Sequence, residues 1–397
     1  METNPALAGV RCTACDATFD ASEVAGRCPS CDGVLDVTYD FDALDLARET
    51  FADRSTRSQW RYRELLPFAP PDAVSIEEGG TPLVPVPSLA AEFGVAAVYV
   101  KDEGRNPTGA IDDRGQSVAV TAAKRAGATD VALASTGDDG QSAAAYAGRA
   151  GLDSHTFVPS RAGFTNKAMV NVHGGDMSVV EGRIGDAASA FADAVADRDD
   201  WHPVQALSTP YAHEGLKTAY AEIVEALDWE TPDRVLYPTG RGAGLHAFHK
   251  AARELDAVGL TDGLPKLYAA QAEGCAPIVR AFEEHRDGHE PWENPDTICG
   301  RIEIPDPAGS ALALDAIRAT DGGAVAAPDA EILEGATSLA SDAGLEVGAS
   351  SGSPVAAAYA LAERGDLDAD DVVVLVNAGA GSKDDDILRS HLMSKGI

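Results

Sequence analysis

The chain has 397 residues, with 31 Lys or Arg against 64 Asp or Glu, a formal net charge of -33 and 45% apolar side chains. That length and apolar content support two domains with cores of their own and a small accessory module. A negative field spread along the whole chain argues against nucleic acid and anionic membranes as partners, and it reads as the acidic surface of a protein adapted to a salt-rich, halophilic cytoplasm. The first ten residues lack a basic segment followed by an apolar core, and no apolar run approaches a membrane span, so a cytoplasmic location is expected.

The first element is a pair of CxxC motifs, Cys12/Cys15 and Cys28/Cys31, separated by a short polar loop. In a reducing compartment four thiolates at this spacing predict a closed tetrahedral zinc site that staples residues 1–40 and does no chemistry. Cys275 and Cys299 stand alone and read as packing residues. Residues 33–42 alternate with period two and predict a strand. Residues 41–75 read as a helical connector ending in a proline-containing linker from Leu66 to Ile76. Beyond it, β-branched runs at 98–100, 131–133, 235–237 and 372–376 alternate with alanine-rich segments such as 117–125 and 142–149. That alternation predicts an α/β fold with parallel strands and helices on both faces. Ligands of such sheets sit beyond the carboxyl ends of the strands, so the following loops are where function is sought.

Four such loops stand out. Lys101-Asp102-Glu103-Gly104-Arg105-Asn106-Pro107-Thr108-Gly109-Ala110-Ile111-Asp112-Asp113-Arg114-Gly115 follows the first β-branched run. Ser135-Thr136-Gly137-Asp138-Asp139 opens a helix, a setting suited to anions. Gly240-Arg241-Gly242-Ala243-Gly244 follows a buried strand and precedes another helix, so that its backbone amides can converge on a phosphate. Arg241 is either a charged contact to that anion or a solvated loop-tip residue. The fourth loop is Asn377-Ala378-Gly379-Ala380-Gly381-Ser382-Lys383-Asp384.

Together with Thr209–Thr218 and Gln271–Val279, these loops resemble the motifs of threonine synthases, which are fold type II pyridoxal-phosphate enzymes, tryptophan synthase β-like, here with an N-terminal zinc ribbon. The resemblance implies a large pyridoxal-phosphate-type domain of residues 76–115 and 205–397 and a small α/β domain of residues 116–204. It also implies a substrate carboxylate held by Ser135, Thr136 and Gly137, a cofactor phosphate held by Gly240, Arg241, Gly242, Ala243 and Gly244, and, by family habit, a homodimer.

The chain departs from the family pattern where the cofactor reacts. Asp112 stands at the Schiff-base lysine, Asp138 at the asparagine that donates to the phenolic oxygen, and Ala378 at the Thr or Ser that contacts the pyridine nitrogen. A carboxylate cannot form an imine. Lys101, Lys217 and Lys383 match lysines that relatives carry besides the reacting one. Lys124 lies roughly 18 Å along a helix from Asp112. Lys167, Lys250, Lys266 and Lys395 read as exposed, and His246 and His249 as surface residues. The leading expectation is a non-canonical paralogue or pseudoenzyme that binds a small anionic or phosphorylated amino-acid-like ligand without imine chemistry, alone or as the partner of an active homologue. A second keeps phosphate-eliminating lyase activity with a noncovalently held cofactor. A third uses Asp112, Asp113 and Asp138 to hold a hard cation that acts on a phosphorylated metabolite.

Overall fold

The computed structural model describes residues 3–44, 46–70, 72–196, 198 and 200–396. Pro71, inside the stretch read as a linker, lies outside the described residues. In chain order the strands are β1 (Leu7–Cys12), β2 (Thr18–Phe19), β3 (Leu35–Tyr39), β4 (Leu83–Pro85), β5 (Ala97–Asp102), β6 (Asp130–Ala134), β7 (Asp153–Pro159), β8 (Asp176–Val180), β9 (Trp201–Pro203), β10 (Arg234–Pro238), β11 (Lys266–Ala272), β12 (Gly323–Ala327) and β13 (Val372–Asn377). Each β-branched run named above lies in a strand, and the two alanine-rich segments lie in the Asp112–Arg125 and Asp138–Ala150 helices. No helix among the described residues is long and apolar enough to cross a membrane.

The chain divides into two compact units. The first comprises the chain up to Gly80, Asn106–Ala221 and Glu254–Leu260, and the second comprises Thr81–Arg105, Glu222–Arg253 and the chain from Thr261 onward. The first unit holds an antiparallel sheet in the order β2-β1-β3 and a parallel sheet in the order β8-β7-β6-β9. The second holds a sheet in the order β12-β11-β10-β13-β5-β4, parallel except for β4 on its edge. Strands buried on both faces explain the continuous apolar runs, since a parallel sheet covered by helices has no wet side.

In the first unit the ribbon is not a separate module, because Val10, Leu35 and Val37 share one apolar cluster with Trp60, Phe68, Val118 and Tyr211. Polar contacts extend that attachment. Asp36 of β3 pairs with His213 at 3.0 Å, and the Tyr39 hydroxyl donates to Glu214. Both partners lie on the short Ala212–Leu216 helix. The same unit buries Glu78, whose carboxylate accepts from Trp60 Nε1 at 2.9 Å, the Tyr146 hydroxyl at 2.9 Å and the Ile76 amide at 2.9 Å. A buried carboxylate is tolerated when it is hydrogen-bonded this fully.

The Ala212–Leu216 helix crosses the start of the Asp112–Arg125 helix with no room for a β-carbon. A methyl group on Gly215 would lie 1.8 Å from the Arg114 carbonyl oxygen, and one on Gly115 would lie 2.9 Å from that of Ala212. Backbone against backbone cannot relax as a flexible side chain would. We expect Gly215→Ala to lower the unfolding free energy by about 3 kcal/mol. Gly185→Ala, at an exposed helical position with open space around it, should be neutral or stabilising by about 0.5 kcal/mol. Equilibrium denaturation of the two variants checks the contrast, and equal effects would refute it.

Candidate functional site

In the first unit the chain reaches the Asp112–Arg125 helix through Thr108-Gly109-Ala110-Ile111. Asp112 and Asp113 form the first turn of this helix, where a carboxylate interacts favourably with the positive end of the helix dipole. Asp113 is fully buried and saturated. It accepts from the Thr108 amide at 2.7 Å, the Thr108 hydroxyl at 2.7 Å and the Ser142 hydroxyl at 2.6 Å. Arg114 is also fully buried and donates to the Thr218 hydroxyl at 3.0 Å. The Asp113-Arg114-Gly115 triplet is therefore scaffold. Asp112 alone is half-buried there.

The Ser135-Thr136-Gly137 turn follows β6 and leads into the Asp138–Ala150 helix. The Ser135 hydroxyl oxygen accepts from the amides of Gly137 and Gly140, each at 2.9 Å, so it caps the helix itself and leaves its own hydrogen to donate. Gly137 has φ of 141° and is overlain by Asn166, which a β-carbon would approach to 2.4 Å. Asn166 is 6% exposed, and its Oδ1 has no hydrogen-bond partner among the described residues. Sequence reasoning missed it, because 29 residues separate it from Gly137 and nothing local marks it. Asp138 is buried, and Asp139 accepts from Gln116 at 2.6 Å, which joins the starts of the two helices.

Asp112, Asp113 and Asp138 do not form a three-ligand cluster among the described residues, and Asp113 is already saturated by donors.

In the second unit the Gly240–Gly244 turn joins β10 to the Ala243–Ala257 helix. Gly242 has φ of 90°, and a β-carbon there would lie 2.6 Å from the Gly309 carbonyl oxygen. A β-carbon on Gly244 would enter the Tyr237 ring. The Gly309 amide donates to the Arg241 carbonyl at 3.0 Å, pinning the turn from outside. A glycine turn at the start of a 15-residue helix presents backbone amides and a positive dipole end to an anion. Arg241 is half-buried, unlike a solvated loop-tip residue. Ala378 follows β13, and its amide donates to the Ser351 hydroxyl at 3.1 Å. Ser351 is a buried hydroxyl.

Lys101, Lys217 and Lys124 do not restore an imine-forming amine at position 112. Lys101 is fully buried and donates to the Thr81 carbonyl and to Glu222, at 2.7 and 2.6 Å. Lys217 donates to Glu214 and Glu254, each at 2.7 Å. Both ammonium groups are held by carboxylates within their own units. Lys124 lies in the same helix as Asp112, 12 positions on or roughly 18 Å away. Lys250 is 7% exposed, His246 is also buried, and His249, Lys167 and Lys266 are half-buried, which corrects their reading as surface or exposed residues; the inward side of the Ala243–Ala257 helix carries polar as well as apolar residues.

The four ribbon cysteines are free thiols whose sulfurs all lie within 4.8 Å of one another. The Cys12–Cys31 and Cys15–Cys28 separations are 3.5 and 3.8 Å. A tetrahedron with zinc–sulfur bonds of about 2.3 Å has sulfur–sulfur edges of about 3.8 Å, so the cluster has the size of a zinc site. Of the remaining cysteines, Cys299 is inert: burial pushes its thiol up to about 12.

Comparison with known proteins agrees with this layout. A family profile described as "Pyridoxal-phosphate dependent enzyme" matches residues 74–379. The threonine synthase of Methanosarcina acetivorans is 36% identical over 376 residues, covering 94% of this chain and 92% of its own. That of Methanocaldococcus jannaschii is 36% identical over 381 residues, covering 95% and 93%. Among solved structures, maize serine racemase superposes with a TM-score of 0.66 at 17% identity over 80% of this chain and 94% of its own, a likeness of fold. The chain belongs to the threonine synthase family of pyridoxal-phosphate-dependent enzymes.

Proposed function

We propose that this chain is a non-canonical member of its family that binds a small phosphate-bearing ligand and performs no imine chemistry. The observation that carries the reading is Asp112, a carboxylate at the position where the resemblance places the reacting amine. Pyridoxal phosphate supplies an electron sink once its aldehyde is joined to an amine. Asp112 cannot make that bond, Lys101 and Lys217 are held in ion pairs, and Lys124 is too far along the helix. A carboxylate at position 112 does not fit covalent attachment of the family cofactor there.

What the residues present do fit is an anion. The Gly240–Gly244 turn offers amides at a helix start, and its glycines leave the backbone open to a phosphate. Ser135 has a hydroxyl hydrogen left after accepting two amides, a donor suited to a carboxylate. Neither contact needs an aldehyde, so phosphorylated ligands with and without one should bind alike.

The ribbon is read as a structural zinc site. Cys12, Cys15, Cys28 and Cys31 would supply all four ligands and leave no open position, so the metal would hold β1 and β3 in place and take no part in a reaction.

Two measurements test these readings. Pyridoxal phosphate and its alcohol analogue pyridoxine phosphate should bind within about threefold of each other, with no lysine adduct after borohydride reduction. Gly242→Ala should weaken both at least tenfold, because its methyl group meets the Gly309 carbonyl. A borohydride-trapped lysine in the native chain would sink the proposal, as would a strong preference for the aldehyde. For the ribbon, metal analysis should find about one zinc per chain, and chelation should lower the melting temperature by roughly 5 °C or more. A metal-free chain with an unchanged melt would rule the zinc out.

A further inference from the structure

The first unit contains a cavity of about 450 Å³ that none of the ligand loops touches. Its wall includes Arg125, His202, Phe68 and Tyr211 from the body and Asp20 and Glu23 from the ribbon. Arg125 ends the helix that Asp112 begins, 13 residues or roughly 20 Å away. His202 lies on β9 opposite Val131, near the start of β6, whereas the Ser135 turn follows that strand's other end. The cavity is thus at the far end of the strands from the family's ligand loops, and it does not depend on the function proposed above.

Its chemistry is mixed in a particular way. His202 is 8% exposed, burial holds its imidazole down at about 4, and its Nε2 has no hydrogen-bond partner among the described residues. A buried ring nitrogen left unmatched costs on the order of 1–3 kcal/mol, which a polar ligand atom would relieve. Burial pushes the Tyr211 phenol up to about 12, with the Arg125 charge opposing that rise and the Asp20 charge adding to it. Opposite charges therefore flank one side chain. The Tyr211 hydroxyl donates to the Ala21 carbonyl at 2.7 Å, fixing the ribbon segment that carries Asp20 and Glu23. The Arg125 guanidinium stands 4.9 Å from the centre of the Phe68 ring, which keeps it on the wall.

These groups select among ligand classes. A dianion would meet Asp20, Glu23 and the net charge of -33. An amine would meet Arg125, and a purely apolar molecule would leave His202 unmatched. A molecule with both charges and a short apolar part satisfies every wall, and the volume suits a small metabolite. We propose that this cavity binds a neutral L-α-amino acid, its carboxylate on Arg125 and His202 Nε2–H and its ammonium group toward Asp20 and Glu23. Binding there would join the ribbon to the end of the Asp112–Arg125 helix, an arrangement suited to an effector.

The test uses the full-length protein. Calorimetry and thermal melts are run with glycine, L-alanine, L-serine, L-threonine, L-valine and L-leucine, with propionate and propylamine as single-charge controls. At least one amino acid should bind and, near saturation, raise the melting temperature by roughly 3 °C, while neither control does so. Arg125→Ala and His202→Leu should each weaken that binding at least tenfold, and Gly242→Ala should leave it unchanged. If no amino acid binds, if binding survives both cavity variants, or if Gly242→Ala abolishes it, the proposal is wrong. Should either cavity variant fail to fold, a crystal of the native chain soaked in the amino acid decides: the amino acid in the cavity upholds the site, and water alone overturns it.

Discussion

The close crossing of the Ala212–Leu216 helix over the start of the Asp112–Arg125 helix is the constraint on which the first unit depends. Gly215 lies so near the Arg114 carbonyl that no side chain fits between them. From that crossing, contacts run outward in two directions. His213 and Glu214 take hold of Asp36 and Tyr39 in the ribbon, and Arg114 and Asp113 fix the first turn of the longer helix. Lys217, one residue beyond the short helix, donates to Glu214 and Glu254 and offers its ammonium group to the face of the Tyr39 ring at 4.4 Å. Buried charges this closely paired are costly to break singly, because removing one strands the other. The ribbon and the start of that helix are consequently parts of one packing problem, although 100 residues separate Cys12 from Asp112.

Much of this was legible in the sequence where the signal is local. The β-branched runs gave strands because a two-sided parallel sheet needs continuous apolar stretches, and the glycine turn at 240–244 gave a strand-to-helix junction because its glycines have packing reasons to be there. The cysteine spacing announced a four-sulfur cluster of the right size. What stayed hidden is side-chain partnership across long stretches of chain. Nothing near Asn166 tells that it covers Gly137, nor does Ser351 announce that it meets Ala378. Lys250 and His246 were misread because the helix that carries them has both polar and apolar residues on its inward side. Nor does the sequence show that the Ser135 hydroxyl accepts from the amides of Gly137 and Gly140.

The substitution at 112 also has a physical direction. A lysine in the first turn of a helix places a cation against the positive end of the dipole, and an aspartate there reverses the sign, a swing of about 1 kcal/mol in favour of the fold. The same holds for Asp138, the first residue of the next helix. Both carboxylates therefore favour the helices they begin. In an active relative, the lysine is retained against that local preference because the reaction needs it. Helix electrostatics alone favours an acid at either position, and a chain of net charge -33 is rich in acids.

The glycine turn at 240–244 follows the opposite logic. Gly242 and Gly244 are enforced by the Gly309 carbonyl and the Tyr237 ring, groups that belong to the scaffold and not to any ligand. A turn held open by its own packing keeps its amides convergent whatever chemistry is lost elsewhere. The overall charge of the chain opposes anion binding at long range, but that field is screened within about 10 Å at moderate salt and within about 3 Å at molar salt. Hydrogen bonds from the backbone act inside that distance. In concentrated salt the phosphate contact proposed for the glycine turn would persist at short range while the repulsion around it fades. Imine formation, by contrast, needs the amine of a side chain, which the packing of the turn does not provide.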